Sequence, residues 1–340
     1  MFVSIGDVPS KIRVSLGTAM LLGLFKEGKM DVSPTSAYLM MFAEGKCRAN
    51  CSFCPQARDS KGHAERLARV TWPSFPTFRV IEALNTAVIE GKVKRVCIQA
   101  LNVLEVFLHI EALVGEIKRH QPTVEVSVSC QPFNREDILG LKNAGVDRVG
   151  IALDAVTEEI FYKVKGANVG SVYSWIHVRS LLEEAVLIFG AGKVSTHLIV
   201  GLGEVEKEIV DLIQWCVDKK VLPAIFAFTP VRGTVFEQWP QPCVVSYRRV
   251  QLARYLLVQG MTRVEYMHFD AEGKIVSYGL APEVLRNIVR EEGGVPFQTS
   301  GCPNCNRPFY NEKVKGPLYN YPRQLNIEEI EKIEKDLGLS

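Results

Sequence analysis

With 340 residues, of which 47% are apolar and 9% aromatic, the chain can bury a large core, as one α/β barrel with extensions or as two domains. Its 40 Lys and Arg against 38 Asp and Glu leave a net charge of +2 and are interspersed, which argues against a nucleic-acid partner. Nine cysteines, three of them crowded together and two more as Cys-x2-Cys, suit metal ligation in the reducing cytoplasm better than a disulfide framework.

In chain order, RVSLGTAMLLGLF (13–25) has basic residues ahead of it but no small-residue cleavage site, and it falls short of the roughly 20 apolar residues that span a bilayer. It reads as a core-facing helix in an N-terminal helical extension over 1–35. From there to about residue 300, β-rich runs alternate with helical periodicity, the pattern of a parallel sheet. The predicted strands are 36–43, 95–101, 125–130, 148–153, 193–201, 224–230, 263–269 and 294–299. Helices such as 77–91, 135–145 and 174–190 fall between them, the last two ending in Gly as a C-cap signal. Count and order predict an α/β fold, a (β/α) barrel over 36–300, complete or partial. A tail over 301–340 follows, in which NIEEIEKIEKDLG reads as a capped surface helix.

The first predicted strand leads into CRANCSFCPQ (47–56), which sets Cys47, Cys51 and Cys54 at C-x3-C-x2-C spacing with Phe53 just before the third. In a barrel, sites are built on loops that leave the C-terminal ends of strands. A structural zinc site wants four ligands, whereas an iron-sulfur cluster held by three thiolates leaves one iron open to a further ligand. A zinc knuckle borrowing a distant fourth ligand is the alternative.

With this motif after a first barrel strand, the chain resembles the radical S-adenosylmethionine (SAM) enzymes, which share a (β/α) barrel of the TIM type. The resemblance implies that Cys47, Cys51 and Cys54 hold a 4Fe-4S cluster whose fourth iron chelates SAM, with Phe53 near the adenine. Cleavage of SAM to a hydrogen-abstracting 5'-deoxyadenosyl radical is the chemistry it implies.

Further segments are similar to the biotin synthase branch. LKNAGVDRVGIALDA (141–155) resembles its fourth-strand region and implies that Asp154 bonds the SAM ribose; capping the next helix is the plainer role. IVGLGE (199–204) resembles the turn that packs on adenine, which assigns Ile199, Gly201 and Glu204 to SAM. Arg179 falls where that branch places an arginine on the SAM carboxylate, with a surface ion pair as the alternative. The chain departs from the pattern where IQALNV replaces a GGE-like stretch and where His197 and Leu198 replace two glycines. Cys97 and Cys130 match two of the three cysteines that hold the second cluster of biotin synthases, but Ser195 stands at the third position.

The tail supplies another pair in SGCPNCNRPFYNE (300–312). Cys302 and Cys305 can join Cys97 and Cys130 as four thiolates for an auxiliary 4Fe-4S cluster. The rival is a zinc knuckle with Cys243 and His268 as spare ligands. Cys216 reads as a small core residue.

This tail together with CRANCSFCPQAR resembles the two-protein lipoyl synthases of archaea and bacteria. The resemblance implies a sulfurtransferase that inserts sulfur from the auxiliary cluster into an octanoyl chain on a lysine of a lipoyl domain or glycine-cleavage H protein. A partner radical SAM lipoyl synthase and a low-potential reductant such as ferredoxin are implied, and no nucleic acid or membrane. Aromatic segments such as FAFTP and PFYN would line an acyl channel or pack the core. Biotin synthase, or another radical SAM enzyme of a free small molecule, is the alternative function; a non-enzymatic zinc-binding protein is a more remote one.

Overall fold

Short runs of Val, Ile and Leu between amphipathic helices favour a parallel sheet covered by helices. The computed structural model has that arrangement; it describes residues 8–26, 28, 30–290, 293–313 and 316–339, so residues 1–7 of the expected N-terminal extension lie outside the described residues. The chain begins with β1 (Lys11–Val14), α1 (Leu16–Leu21), β2 (Ser36–Met41), a hairpin of β3 (Arg66–Leu67) and β4 (Val70–Thr71), β5 (Ser74–Pro76) and α2 (Thr77–Ile89). Strands and helices then alternate: β6 (Arg95–Gln99), α3 (Val106–His120), β7 (Glu125–Cys130), α4 (Arg135–Asn143), β8 (Arg148–Ile151), α5 (Glu158–Val164) and α6 (Trp175–Phe189). They continue with β9 (Val194–Val200), α7 (Glu206–Asp218), β10 (Leu222–Ala227) and α8 (Val244–Val258). A second hairpin of β11 (His268–Phe269) and β12 (Ile275–Ser277), α9 (Pro282–Arg290) and α10 (Ile327–Leu337) follow.

Local sequence explains the helix boundaries. Asn134 caps α4 by accepting from the Asp137 N–H at 3.0 Å, and Thr157 caps α5 through the Ile160 N–H at 3.2 Å. Asn326 and Glu329 form a reciprocal capping box on α10, which ends at Gly338 with φ 67°.

Eight strands form one sheet in the order β10-β9-β8-β7-β6-β2-β1-β5. The six from β2 to β10 pair in parallel, while β1 pairs antiparallel with β2 and β5, so β10 and β5 are the edges. Six of the eight predicted parallel strands are thus present. The segment 263–269 instead becomes a single turn and then the hairpin strand β11, because Asp270 Oδ1 accepts from the Glu272 and Lys274 N–H groups and folds the chain back onto β12. Residues 294–299 form a short turn of helix; Pro296 has no N–H for a ladder, and Gly294 sits at φ 72°. The segment 13–25, expected as helix throughout, starts as β1, and Ser15 then caps a six-residue helix.

The two faces of the parallel strands differ in a way that positions the site. Val96, Ile98, Val126, Val128, Val149, Ile151, Val194, Leu198 and Val200 are buried in the layer between sheet and helices. On the opposite face the alternating positions are Cys97, Gln99, Ser127, Ser129, Gly150, Ser195 and His197, and these border a cavity. A parallel strand buried on both faces is ordinarily apolar throughout, so this polar parity marks a face with another task.

Candidate active site

The segment after β2 folds into tight turns that aim three thiols at one space. Cys47 N–H donates to Gln56 O at 2.9 Å, Cys54 N–H to Cys51 O at 3.0 Å and Arg58 N–H to Ala49 O at 2.9 Å. Lys46 Nζ ties the ends together by donating to Pro55 O at 2.8 Å and Gly62 O at 2.6 Å. Cys47, Cys51, Cys54 and Phe53 line a cavity of about 270 Å³. Burial pushes the Cys54 thiol up to about 12 and the Cys51 thiol higher still, and neighbouring thiols add to the rise; Lys165 pulls Cys51 back.

A second set of thiols approaches from the other end of the strands. Cys97 points inward from β6, level with Tyr38 of β2 and Ser127 of β7. The turn Cys302-Pro303-Asn304-Cys305 lies at the N-terminal ends of the strands. There Arg95 Nη2 donates to Pro303 O at 3.4 Å, the Thr35 N–H donates to Asn306 Oδ1 at 3.0 Å, and Asn306 Nδ2 donates to Ser33 O at 2.9 Å. Cys302 and Cys305 line the same cavity, and the Tyr38 hydroxyl is 3.2 Å from Cys305 Sγ. Burial first, then Cys302 and Cys305, push the Cys97 thiol up to about 12.

Cys130 does not join this set. It borders the cavity wall but shares the parity of Val126 and Val128, is 3% exposed and packs in the helix-side layer, where Asp137 of α4 is the charge that acts on its thiol. It also stands three residues beyond Ser127, about 10 Å further along the strand than the level of Cys97. The expected grouping of Cys97 and Cys130 is therefore corrected: one faces the cavity and the other the helices. Cys216 is buried in α7 and Cys243 is exposed, and neither lines the cavity.

Of the residues that the resemblance assigns to SAM, Asp154 and Ile199 line the cavity, as Phe53 does. Asp154 adopts a left-handed conformation with φ 66°; its N–H donates to His197 O at 2.8 Å and its carbonyl accepts from the Ile199 N–H at 2.7 Å. The Glu204 carboxylate accepts from the Gly201 and Leu202 N–H groups and closes the turn after β9; burial raises its carboxyl. Neither Gly201 nor Glu204 lines the cavity. Arg179 is not brought there either: its guanidinium stacks over the Trp215 ring at 4.2 Å, between α6 and α7.

Four cavity residues were given no role by the sequence analysis, although His197 was noted there as a departure from the pattern. Lys165 donates to Asp154 Oδ2 at 2.6 Å and to Ala152 O at 2.5 Å. Tyr38 contacts the second thiol set. Arg307 lies 4.1 Å over the Phe226 ring and donates to Ser300 O; the groups around its charge are Cys305, Tyr38, Tyr310 and Cys97, and among the described residues no carboxylate forms an ion pair with it. His197 packs edge-on against Phe226, and burial, aided by Arg307, lowers its imidazole to about 4. Tyr38 and His197 carried a signal, a polar residue at a cavity-side position of a strand, and Arg307 lies in the tail motif itself; Lys165, just past the end of α5, carried neither.

The profile described as the Radical SAM superfamily matches residues 45–216, about half of the chain. The chain belongs to the radical SAM superfamily. Membership implies a 4Fe-4S cluster and SAM as cofactors. A biotin synthase of Persephonella marina is 30% identical over 210 residues, covering 59% of this radical SAM chain and 57% of the relative. A GTP 3',8-cyclase of Limosilactobacillus fermentum is 22% identical over 281 residues, covering 79% and 75%. Among solved structures, methylornithine synthase superposes with a TM-score of 0.53 at 12% identity, over 65% of this chain and 62% of that one. This chain thus spans less than two thirds of the biotin synthase and of the methylornithine synthase. Within this radical SAM fold, no helix among the described residues is long and apolar enough to cross a membrane.

Proposed function

We propose that this radical SAM enzyme inserts sulfur into an octanoyl chain carried on a lysine of a lipoyl domain or H protein. The observation that carries the reading is a single cavity with Cys47, Cys51 and Cys54 on one side and Cys97, Cys302 and Cys305 on the other. In this reading each set holds a 4Fe-4S cluster, the first with SAM. Among the described residues no three Cys, His, Asp or Glu side chains converge on one metal ion, and a cubane does not require it, since each thiolate binds a different iron. The donor chemistry fits at both ends. Arg307 is enclosed among thiols and phenols that are neutral when protonated, and a buried guanidinium needs negative charge that thiolates would provide.

When bound, the cofactors would supply a hydrogen-abstracting 5'-deoxyadenosyl radical and a source of sulfide. The chain's own residues would do the rest. Lys165 holds the Asp154 carboxylate at the cavity wall, where it can accept from hydroxyl groups of a bound nucleoside. Phe226, Phe228 and Tyr310 line the cavity with apolar surface suited to an alkyl chain and exclude water. Ser127, Ser129 and Ser195 line the same cavity with short side chains that leave its interior open. A second radical SAM protein acting in tandem and a low-potential reductant belong to this reading.

The likeness to a biotin synthase favours a second reading, sulfur insertion into free desthiobiotin. Anaerobic reconstitution with iron analysis, followed by turnover with octanoylated H protein and with desthiobiotin, decides between them. The proposal expects about eight irons per chain, falling to about four in a Cys47→Ala, Cys51→Ala, Cys54→Ala variant, and sulfur on the octanoyl chain only. About four irons falling to none would remove the second cluster and with it the sulfur-insertion reading.

A further inference from the structure

The segment that carries the first thiol set has two faces. Cys47, Ala49, Cys51, Phe53, Cys54, Leu67 and Ala68 line the cavity, while Arg48, Lys61, Arg66 and Arg69 are exposed on the outside. Residues 44–72 contain six Lys or Arg and three Asp or Glu, a net of +3, whereas the whole chain carries +2; all other residues together are therefore net negative. The β3–β4 hairpin turns on Ala68 at φ 49°, so that Leu67 and Ala68 face inward and Arg66 and Arg69 outward.

The loop after β10 extends this rim. Lys61 N–H donates to Gly233 O at 2.8 Å and the Ser60 hydroxyl to the same oxygen at 3.0 Å, which brings exposed Arg232 beside Lys61. Between 59–63 and 232–237 lies an open surface groove of about 710 Å³, lined by Lys61, Arg232 and a Val235 that is 79% exposed. Its carboxylates are already engaged, Asp59 with Arg58 at 3.2 Å and Asn50 at 2.9 Å, and Glu237 with the Gly233 N–H at 2.6 Å. Among the described residues the side chains of Arg48, Lys61, Arg66, Arg69 and Arg232 have no hydrogen-bond or ion-pair partner. The groove adjoins the cavity mouth, because Gly62 packs on Pro55, which lines the cavity.

We propose that this basic rim docks an acidic protein domain that presents the acyl-lysine to the cavity, a proposal that rests on the function proposed above. Exposed, unpaired cations cost little to desolvate at a polar rim and steer an oppositely charged partner, and Val235 offers the groove an apolar contact. A protein fits better than a nucleic acid, because Glu44, Asp59 and Glu65 interrupt the cations and no large aromatic side chain is exposed among them.

The test is fluorescence anisotropy of a labelled, unacylated lipoyl domain of net negative charge titrated with reconstituted enzyme. The enzymes compared are wild type, Lys61→Glu with Arg232→Glu, Arg66→Glu with Arg69→Glu, and a control, Lys332→Glu, exposed on α10. The proposal expects the affinity of wild type to fall as salt rises from about 50 to about 300 mM. It also expects each rim variant to bind about tenfold or more weakly at low salt, with unchanged iron content, and the control to bind like wild type. Rim variants that bind like wild type, or a wild type that does not bind the domain at low salt, would overturn it. Turnover of a short octanoyl-lysine peptide and of octanoylated H protein is measured alongside: binding without sulfur insertion into either would sink the proposed reaction and leave the docking surface standing.

Discussion

Lys165→Met isolates the charge pair that supports the cavity wall. The Lys165 side chain is 2% exposed and that of Asp154 13%, so the 2.6 Å contact between them is shielded from water. Methionine nearly matches the volume of the lysine stem, so packing changes little while the ammonium is lost. That leaves the Asp154 carboxylate enclosed without its cation and the Ala152 carbonyl without its donor. Removing one partner of a buried pair costs about 3–5 kcal/mol, most of it the penalty on the charge left behind. Equilibrium urea unfolding of the metal-free protein, under anaerobic reducing conditions and followed by the four tryptophans, measures the loss. Adding Asp154→Asn should return the protein to within about 2 kcal/mol of wild type, since Asn tolerates the left-handed backbone and carries no charge. A loss below about 1 kcal/mol, or a double variant no better than the single one, would refute the view that the pair is dry and the carboxylate is held by Lys165.

Two further outcomes follow from the geometry. His197 stays neutral in the folded protein down to about 4, whereas in the unfolded chain it takes up a proton near 6.5. Its stabilising contribution is therefore full above 6.5 and is lost as pH falls toward 4, about 2 kcal/mol of it by pH 5. His197→Leu should flatten the pH dependence of unfolding in that window, and an unchanged slope would show that the imidazole is solvated. Cys130 faces the helical layer, so Cys130→Ala should leave the iron content of reconstituted protein unchanged, whereas Cys97→Ala should lower it by about four atoms. Equal iron loss in both variants would restore Cys130 to the second thiol set.

Much of the fold was legible because it is written in local patterns. Asn134, Thr157 and Asn326 mark helix starts by their own side chains, and Val and Ile at every second position mark the parallel strands. The two false strands had the right composition. Only the absence of a neighbouring ladder, together with Pro296 in one and the Asp270 turn in the other, ruled them out. Cys130 could have been set apart by parity, since it alternates with Ser127 and Ser129 rather than with Val126 and Val128.

The sequence alone determined the superfamily and one side of the cavity. Cys47, Cys51 and Cys54 lie within eight residues, and a short segment closes on itself with bonds such as Cys47 N–H to Gln56 O whatever the rest of the chain does. Only tertiary structure decided how the tail enters. Contacts from Thr35 and Arg95, more than 200 residues away, bring Cys302 and Cys305 in from the N-terminal ends of the strands rather than the loop-bearing mouth. It also decided that Arg307 and Lys165 turn inward and Arg179 does not. Each depends on which distant groups enclose a long flexible side chain, and no local spacing encodes that enclosure.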